Sequence, residues 1–338
     1  MTGHTRVTIR DVAREAGVSV TTVSHALNGK GQIRDETRER IRVVATSLGY
    51  RPSRAAQALR RSRTGTIALI LPGDGSAEQR EMISLDYYMT IASACAQGAF
   101  TYGYSLILPP LLNGADDWRV LAPDGVVLCD PTTGDARIDL LEDMGVPVVS
   151  IERDRGRPER SYFVAGDNTG NMREMLGHLH AAGARRIALL WAESSWAWAL
   201  ESRAAYESWC AEQGQRPLVA PVSLHHLESD AYRASAALLD AAEPPDAVIA
   251  TAEGYAEGLL RACGERDVDV PGDLLVASGI DTHVMRLNDP PITAIDLDPA
   301  AQAKAAVDLL HARLEGDEVD APTIVPSSLR IRRSTQPS

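Results

Sequence analysis

Thr8-Ile-Arg-Asp-Val-Ala-Arg-Glu-Ala-Gly-Val-Ser-Val-Thr-Thr-Val-Ser-His-Ala-Leu-Asn28 carries two short helical patterns that meet at a glycine. Thr8 suits the cap of the first, and Ile9, Val12, Ala13 and Ala16 form an apolar stripe at helical spacing. Gly17 fits the corner, because glycine accepts a positive φ without steric cost. Ser19 is placed to cap the second helix, whose inward side is Val23, Ala26 and Leu27. That leaves Val20, Thr21, Thr22, Ser24 and His25 on an outer face of short side chains, most of them able to hydrogen-bond. Two helices around a tight turn, the second with such a face, is the geometry that seats a recognition helix in a DNA major groove. A helical hairpin that merely packs has the same spacing, so a second signal is needed.

Charge supplies it. Residues 1–65 hold 13 Lys and Arg against 5 Asp and Glu, a net of +8. The whole chain is at −12, which leaves −20 for residues 66–338. An acidic protein with one strongly basic end meets polyanions through that end. Nothing in it reads as an apolar anchor for a membrane surface, so nucleic acid is the better partner. Asp35 to about Leu48 predicts a third helix, with Thr37, Ile41, Val44, Ala45 and Leu48 inward and Arg38, Arg40 and Arg42 left for solvent or phosphate. Gly49-Tyr-Arg-Pro52 stops it. Ser53 to Gly65 is Ala-rich enough for a short helix, too short to stand alone, that forms when a second copy and DNA hold it.

The rest predicts an α/β core. A chain of 338 residues is long enough for two or three domains. The N-terminus lacks an apolar signal segment and no run reaches transmembrane length, so the expectation is a cytoplasmic protein with no membrane partner. Cys95, Cys129, Cys210 and Cys263 are scattered and read as reduced core thiols. Strand-length apolar runs at 66–71, 104–108, 125–129, 147–151, 162–165, 186–191, 247–251 and 274–278 alternate with helical patterns near 84–101, 136–144, 169–182, 198–213, 229–241, 254–264 and 299–314. This alternation predicts two doubly wound halves, with a ligand in the cleft between them. Gly73-Asp-Gly75-Ser-Ala-Glu78 only half-matches a dinucleotide fingerprint and puts a carboxylate where pyrophosphate would lie. His225-His226 are adjacent and read as an exposed loop, not a metal site. No catalytic constellation, metal site or cofactor motif is present, and the chain reads as a non-enzyme.

The stretch from Val7 to about Leu71 resembles the N-terminal region of the lac-repressor/galactose-repressor family of bacterial transcription regulators. The matching residues are Thr8, Asp11-Val-Ala13, Ala16-Gly-Val-Ser19, Thr22-Val-Ser24, Asn28, Thr37-Arg38 and Gly49-Tyr-x-Pro52, with Ala56 and Leu59 beyond. The resemblance implies an N-terminal all-α helix-turn-helix domain (1–50), a hinge helix and linker (51–65), and a periplasmic-binding-protein-like core (66–338). It implies an N-lobe of about 66–162 and 293–322 and a C-lobe of about 163–292 and 323–338. DNA contacts would come from Thr8, Ser19, Val20, Thr21, Thr22, Ser24, His25 and Asn28, with Arg54 in the hinge and Leu59 as a wedge into the minor groove. Ser53 replaces the Asn of many members. In the cleft the resemblance implies Asp167, Arg203 and Asp281 as contacts for a sugar-like or nucleoside-like effector. Arg203 is displaced by about one residue, and Ala252-Glu253 and Thr282 stand where members carry Asn-Asp and Asp. Trp191, Trp196 and Trp198 crowd one rim, either to stack on a ring or to pack. Tyr88 either lines the cleft or lies on a dimer face. The implied protein is a homodimeric regulator on a near-palindromic operator. A solute-binding protein would need an export signal and not a basic end, and an enzyme would need a catalytic set.

Overall fold

The computed structural model describes residues 7–27, 32–50, 63–73, 85–110, 112, 114–317 and 321–336. The chain divides into two compact units, residues 1–65 and 66–338.

In the first unit, α1 (Ile9–Glu15), α2 (Val20–Leu27) and α3 (Asp35–Ser47) enclose a small core of Val12, Ala13, Ala16, Val23, Ala26, Ile41 and Ala45. Thr8 opens α1 through Asp11, whose carboxylate accepts both the Thr8 backbone N–H (2.9 Å) and its hydroxyl (2.7 Å). Gly17 makes the corner at φ +63°. Ser19 then caps α2, its hydroxyl oxygen accepting the Thr22 N–H at 3.0 Å. Asp35 and Glu36 sit in the first turn of α3, where carboxylates meet the positive end of the helix dipole.

The second unit begins with β1 (Thr66–Ile70), α4 (Asp86–Thr101), β2 (Ser105–Ile107), α5 (Ala115–Leu121), β3 (Gly125–Cys129), α6 (Ala136–Asp143), β4 (Val148–Ile151) and β5 (Phe163–Ala165). There follow α7 (Asn168–Ala181), β6 (Ile187–Ala192), α8 (Ala197–Glu212), β7 (Leu218–Val222), α9 (Leu227–Leu239), β8 (Ala247–Ala250), α10 (Tyr255–Gly264), β9 (Leu275–Ser278), α11 (His283–Leu287) and β10 (Thr293–Asp296). The chain then returns through α12 (Pro299–Glu315) and ends on β11 (Thr323–Ile324) and β12 (Ser328–Arg330). Two six-stranded sheets result, ordered β11-β5-β4-β3-β1-β2 in the N-lobe and β12-β10-β9-β8-β6-β7 in the C-lobe. All pairings are parallel except β10 with β12. β3, β4, β6, β8 and β9 are buried along their whole length, as expected of strands covered by helices on both faces.

The lobe boundaries differ from the expected ones by one strand at each crossing. β5 pairs in parallel with β4 of the N-lobe (Ser150 opposite Phe163), so it does not open the C-lobe. β10 pairs with β9 and belongs to the C-lobe, and β11 pairs with β5 and belongs to the N-lobe. The crossings therefore fall between Ala165 and Asn168, Asp296 and Pro299, and Ile324 and Ser328. Each strand completes the ladder of the lobe it leaves before the chain passes over. The sequence pattern also overlooked α5, α11, β7, β10, β11 and β12. These are short or marginal, with β7 carrying Pro221 and β11 exposed along its length.

Helices α9 and α10 pack backbone to backbone at Gly258. A Cβ there would clash with the Glu228 carbonyl oxygen and meet the Tyr232 nitrogen at 2.7 Å. Gly258→Ala should therefore cost about 1–3 kcal/mol through overpacking, read as a lower Tm. Gly177→Ala on α7, where nothing lies within 4 Å, should hold the Tm or raise it.

Candidate functional site

Two sites can be built from the described residues, one in each unit. In the first, α2 leaves Val20, Thr21 and His25 exposed, Val20 with 38% of its surface. Thr22 is half-buried and its hydroxyl is shared with Ser19 at 2.8 Å. Thr8 and Ser19 are exposed, with their side chains committed to opening the two helices. Ser24 departs from the expected outer face, since only 6% of its surface is open. Both α1 and α3 pack on this eight-residue helix, and together they cover more of its circumference than one apolar stripe predicts. Arg40 and Arg42 are exposed on α3. Asn28, Arg54 and Leu59 lie outside the described residues.

The second site is a cleft between the two lobes, a space of about 900 Å³ with its open mouth included. It lies where the carboxyl ends of the strands converge, as in other open α/β sheets. Asp130 follows β3, Glu152 follows β4, Asn168 begins α7, Thr251 to Glu253 follow β8 and Gly279-Ile280 follow β9. Asp130 and Glu152 both take a positive φ, +45° and +73°, at the point where their strands end. Leu85, Met172, Met175, Leu224, Leu227 and Leu297 give the cleft much of its wall, and Tyr87, Tyr88, Trp196 and Trp198 its aromatic surface.

The acids are deeply placed. Asp130 is 3% exposed and Glu152 5%. The Tyr88 hydroxyl donates to Asp130 at 2.5 Å, and the Asn168 amide donates to Glu152 and to Glu201 at 3.1 Å each. Burial raises the Asp130 carboxyl to about 7 against the hydrogen bonds from Tyr88 and Trp198. Burial, and then the neighbouring charge of Asp130, raises Glu152 to about 8. Glu253 is also pushed up by burial, although it accepts the backbone N–H groups of Asp86 (3.0 Å) and Tyr87 (3.5 Å). Those two groups open α4, so a C-lobe carboxylate caps an N-lobe helix. Asp86 returns the contact by accepting the His283 N–H at the start of α11, at 3.0 Å. Thr133 adds a third bridge to the Ser195 carbonyl at 2.9 Å.

Of the five residues expected at the effector, only Tyr88 lines this cleft. Asp167 caps α7, accepting the Gly170 N–H at 2.8 Å, and points to solvent. Arg203 pairs with Glu207 at 2.7 Å and lies 4.6 Å over the Trp191 ring. Trp191 is itself core, its indole N–H donating to the Ala199 carbonyl at 2.9 Å. Asp281 is held by Arg332 of the C-terminal tail at 2.8 and 2.9 Å. Each of these polar groups already has a partner in the C-lobe. Asp130 and Glu152 were missed, and Glu253, noted in the sequence only as a departure from the family's Asn-Asp pair, does line the cleft. For the first two the sequence does hold a signal, an acid directly after an apolar strand run, in Val126-Val-Leu-Cys-Asp130 and Val148-Val-Ser-Ile-Glu152.

Residues 8–53 match the family described as "Bacterial regulatory proteins, lacI family", and residues 176–335 match "Periplasmic binding protein-like domain". The HTH-type transcriptional regulator CelR of Thermobifida fusca is 30% identical over 341 residues, spanning 97% of this chain and 98% of that protein. A solved transcriptional regulator CelR–cellobiose complex aligns with a TM-score of 0.72 at 26% identity, over 97% of this chain and 100% of that one. The lac repressor dimer bound to operator and the anti-inducer ONPF shares the fold, with a TM-score of 0.82 at 23% identity over 98% of this chain and 99% of that one. This chain belongs to the lacI family and is a DNA-binding transcriptional regulator. Among the described residues no helix is long and apolar enough to cross a membrane.

The raised carboxyls make stability fall with pH. The unfolded chain releases these protons near pH 4, whereas the folded chain keeps them to about 7 at Asp130 and about 8 at Glu152. Between those limits the folded state binds more protons, so its stability declines as pH rises. The Tm should drop from about pH 5 to about pH 8 in a pH series by calorimetry, and Glu152→Gln should flatten that slope.

Proposed function

We propose that this chain is a homodimeric repressor acting in the bacterial cytoplasm, with no catalytic role, which places α2 of each copy in one half-site of a near-palindromic operator. The observation that carries the reading is the open face of α2, with Val20, Thr21 and His25 exposed on a helix held by two others in the basic end of an acidic chain. Thr8, Ser19 and Asn28 would serve the phosphates beside it, together with the arginines of α3 and Arg54. Leu59 would enter the minor groove at the operator centre. Because Val20, Thr21 and His25 are this chain's own combination, they set its own operator.

The cleft then holds the effector. A ligand that favours one arrangement of the lobes shifts the population of that arrangement, and through the hinge the spacing of the two reading heads. A solved transcriptional regulator CelR–cellobiose complex has this chain's fold, which supports a carbohydrate-sized effector.

Selection of bound sequences from random DNA should return one roughly palindromic site, with affinity that falls steeply with salt. His25→Ala should weaken binding about tenfold and relax preference at one symmetric pair of positions. Leu59→Ala should weaken the full site and leave the fold, read by circular dichroism, unchanged. Recovery of no preferred site would overturn the reading.

A further inference from the structure

The formal charges that line the cleft are all of one sign. Asp130, Glu152 and Glu253 face it, and among the described residues no Lys, Arg or His does. This is not how the protein treats its other interior acids. Asp135 and Asp154, equally buried, are ion-paired with Arg137 (2.6 Å) and with Arg157. Asp281 is paired with Arg332 at 2.8 Å. The hydrogen-bond partners of Asp130 and Glu152 are a phenol, an indole and an amide, none of which carries a charge. Arg153, next along the chain from Glu152, turns to Glu201 at 3.5 Å and to the Gly166 carbonyl.

Burying an acid without a counter-charge is costly, and the protein relieves that cost with a direct guanidinium pair at Asp135, Asp154 and Asp281, whereas Asp130 and Glu152 have none among the described residues, the Arg153 charge acting on Glu152 only from a distance. The aromatic surface has the same preference. Tyr87 and Tyr88 meet edge to face at 5.1 Å, and Trp196 and Trp198 lie 5.9 Å apart. Ring faces beside carboxylates form the environment that attracts an organic ammonium. One donor also stands without an acceptor, the Asn171 side-chain nitrogen, which is buried on the cleft wall. A turn of that amide toward the cleft would offer it to an oxygen on the same ligand.

We propose that the effector of this regulator is an organic cation, a protonated amine whose ammonium sits at Asp130 and Glu152, with Glu253 adding negative charge elsewhere on the cleft wall, while its body lies against Trp196 and Trp198. The proposal rests on the cleft being the effector site and names the class of ligand it takes. It excludes sugar phosphates and carboxylates, which would meet three acids and no cation. An amino sugar and an aliphatic polyamine share the required chemistry, and Asn171 favours the oxygen-bearing one.

Cellobiose and the disaccharide of two glucosamine units differ chiefly in an ammonium replacing a hydroxyl on each ring, which makes them a matched pair. Calorimetric titration of the full-length protein with this diamine, cellobiose, spermidine and glucose 6-phosphate tests the proposal. The diamine should bind at least about tenfold more tightly than cellobiose, and glucose 6-phosphate should not bind. Spermidine binding as tightly as the diamine also supports the proposal and assigns the polyamine source. Glu152→Gln should lose about tenfold in amine affinity while keeping its fold by circular dichroism. Wild-type amine affinity should rise from about pH 6 as the acids ionise, for spermidine up to about pH 8 and for the amino sugar only until its own ammonium begins to lose its proton. The charged and titratable groups facing Glu152 are Asp130, Glu201, Arg153 and Tyr87, so Asp130→Asn should reduce that rise as well. Cellobiose binding as tightly as the diamine overturns the cation and leaves the effector site standing. Failure of all four probes at millimolar concentration overturns both.

Discussion

Everything about the cleft depends on how its two lobes are held. Three short crossings join them, and each is only a few residues long. The remaining hold is non-covalent and includes reciprocal helix caps, with Glu253 of the C-lobe on the first turn of α4 and Asp86 of the N-lobe on the first turn of α11, beside polar bridges such as Asn168 to Glu152, Arg153 to Glu201 and Thr133 to Ser195. A hydrogen bond to a carboxylate contributes about 1.5–3 kcal/mol at best. A few such bonds hold the lobes in one arrangement firmly enough to define it, yet within reach of a ligand's binding energy. A state held by tens of kcal/mol could not be switched by a metabolite.

The same carboxylates make closure sensitive to charge. Glu253 is raised by burial even while it caps α4, and Asp130 and Glu152 are raised further with no backbone N–H in reach of their carboxylates among the described contacts. Closing the lobes further would take water from these acids. An ammonium in the cleft would convert that desolvation from a cost into an attraction in low dielectric, and the gain would exist only in the closed arrangement. On the proposed reading, ligand charge and lobe closure would be linked by these side chains, which would give the ligand the differential affinity that any switch requires.

Much of this was legible in the sequence. The helix pair around Gly17 and the alternation of β3, β4, β6, β8 and β9 with long helices rest on local periodicity, and local periodicity survives folding. The lobe boundaries rest on which ladder β5, β10 and β11 join, and two- to four-residue strands carry no mark of their partner. The cleft residues were harder still. Asp167, Arg203 and Asp281 stand at positions the resemblance selects, but Gly170, Glu207 and Arg332 engage them first. Which acid faces a cleft and which caps a helix is decided by partners distant in sequence, such as Arg332 for Asp281, 51 residues away.

The two units also divide the electrostatic work. A net of +8 on residues 1–65 and −20 beyond them means that DNA attracts one end of the chain and is repelled by the rest. Repulsion of that size suppresses non-specific docking of the body, so occupancy depends on the helix pair. Yet the exposed face of α2 offers Val20, Thr21 and His25, with no Arg, Asn or Gln among them to bind a base edge in two places. On the proposed reading each contact then discriminates at the lower end of the ~1–3 kcal/mol range of a good base contact. One copy would choose its site weakly. Two copies on one duplex add their discrimination energies and so multiply their preferences, and they do so only when their spacing matches the half-sites. On the proposed reading a narrow reading face therefore requires the dimer, and specificity that resides in dimer spacing is specificity that a change of lobe arrangement would switch off.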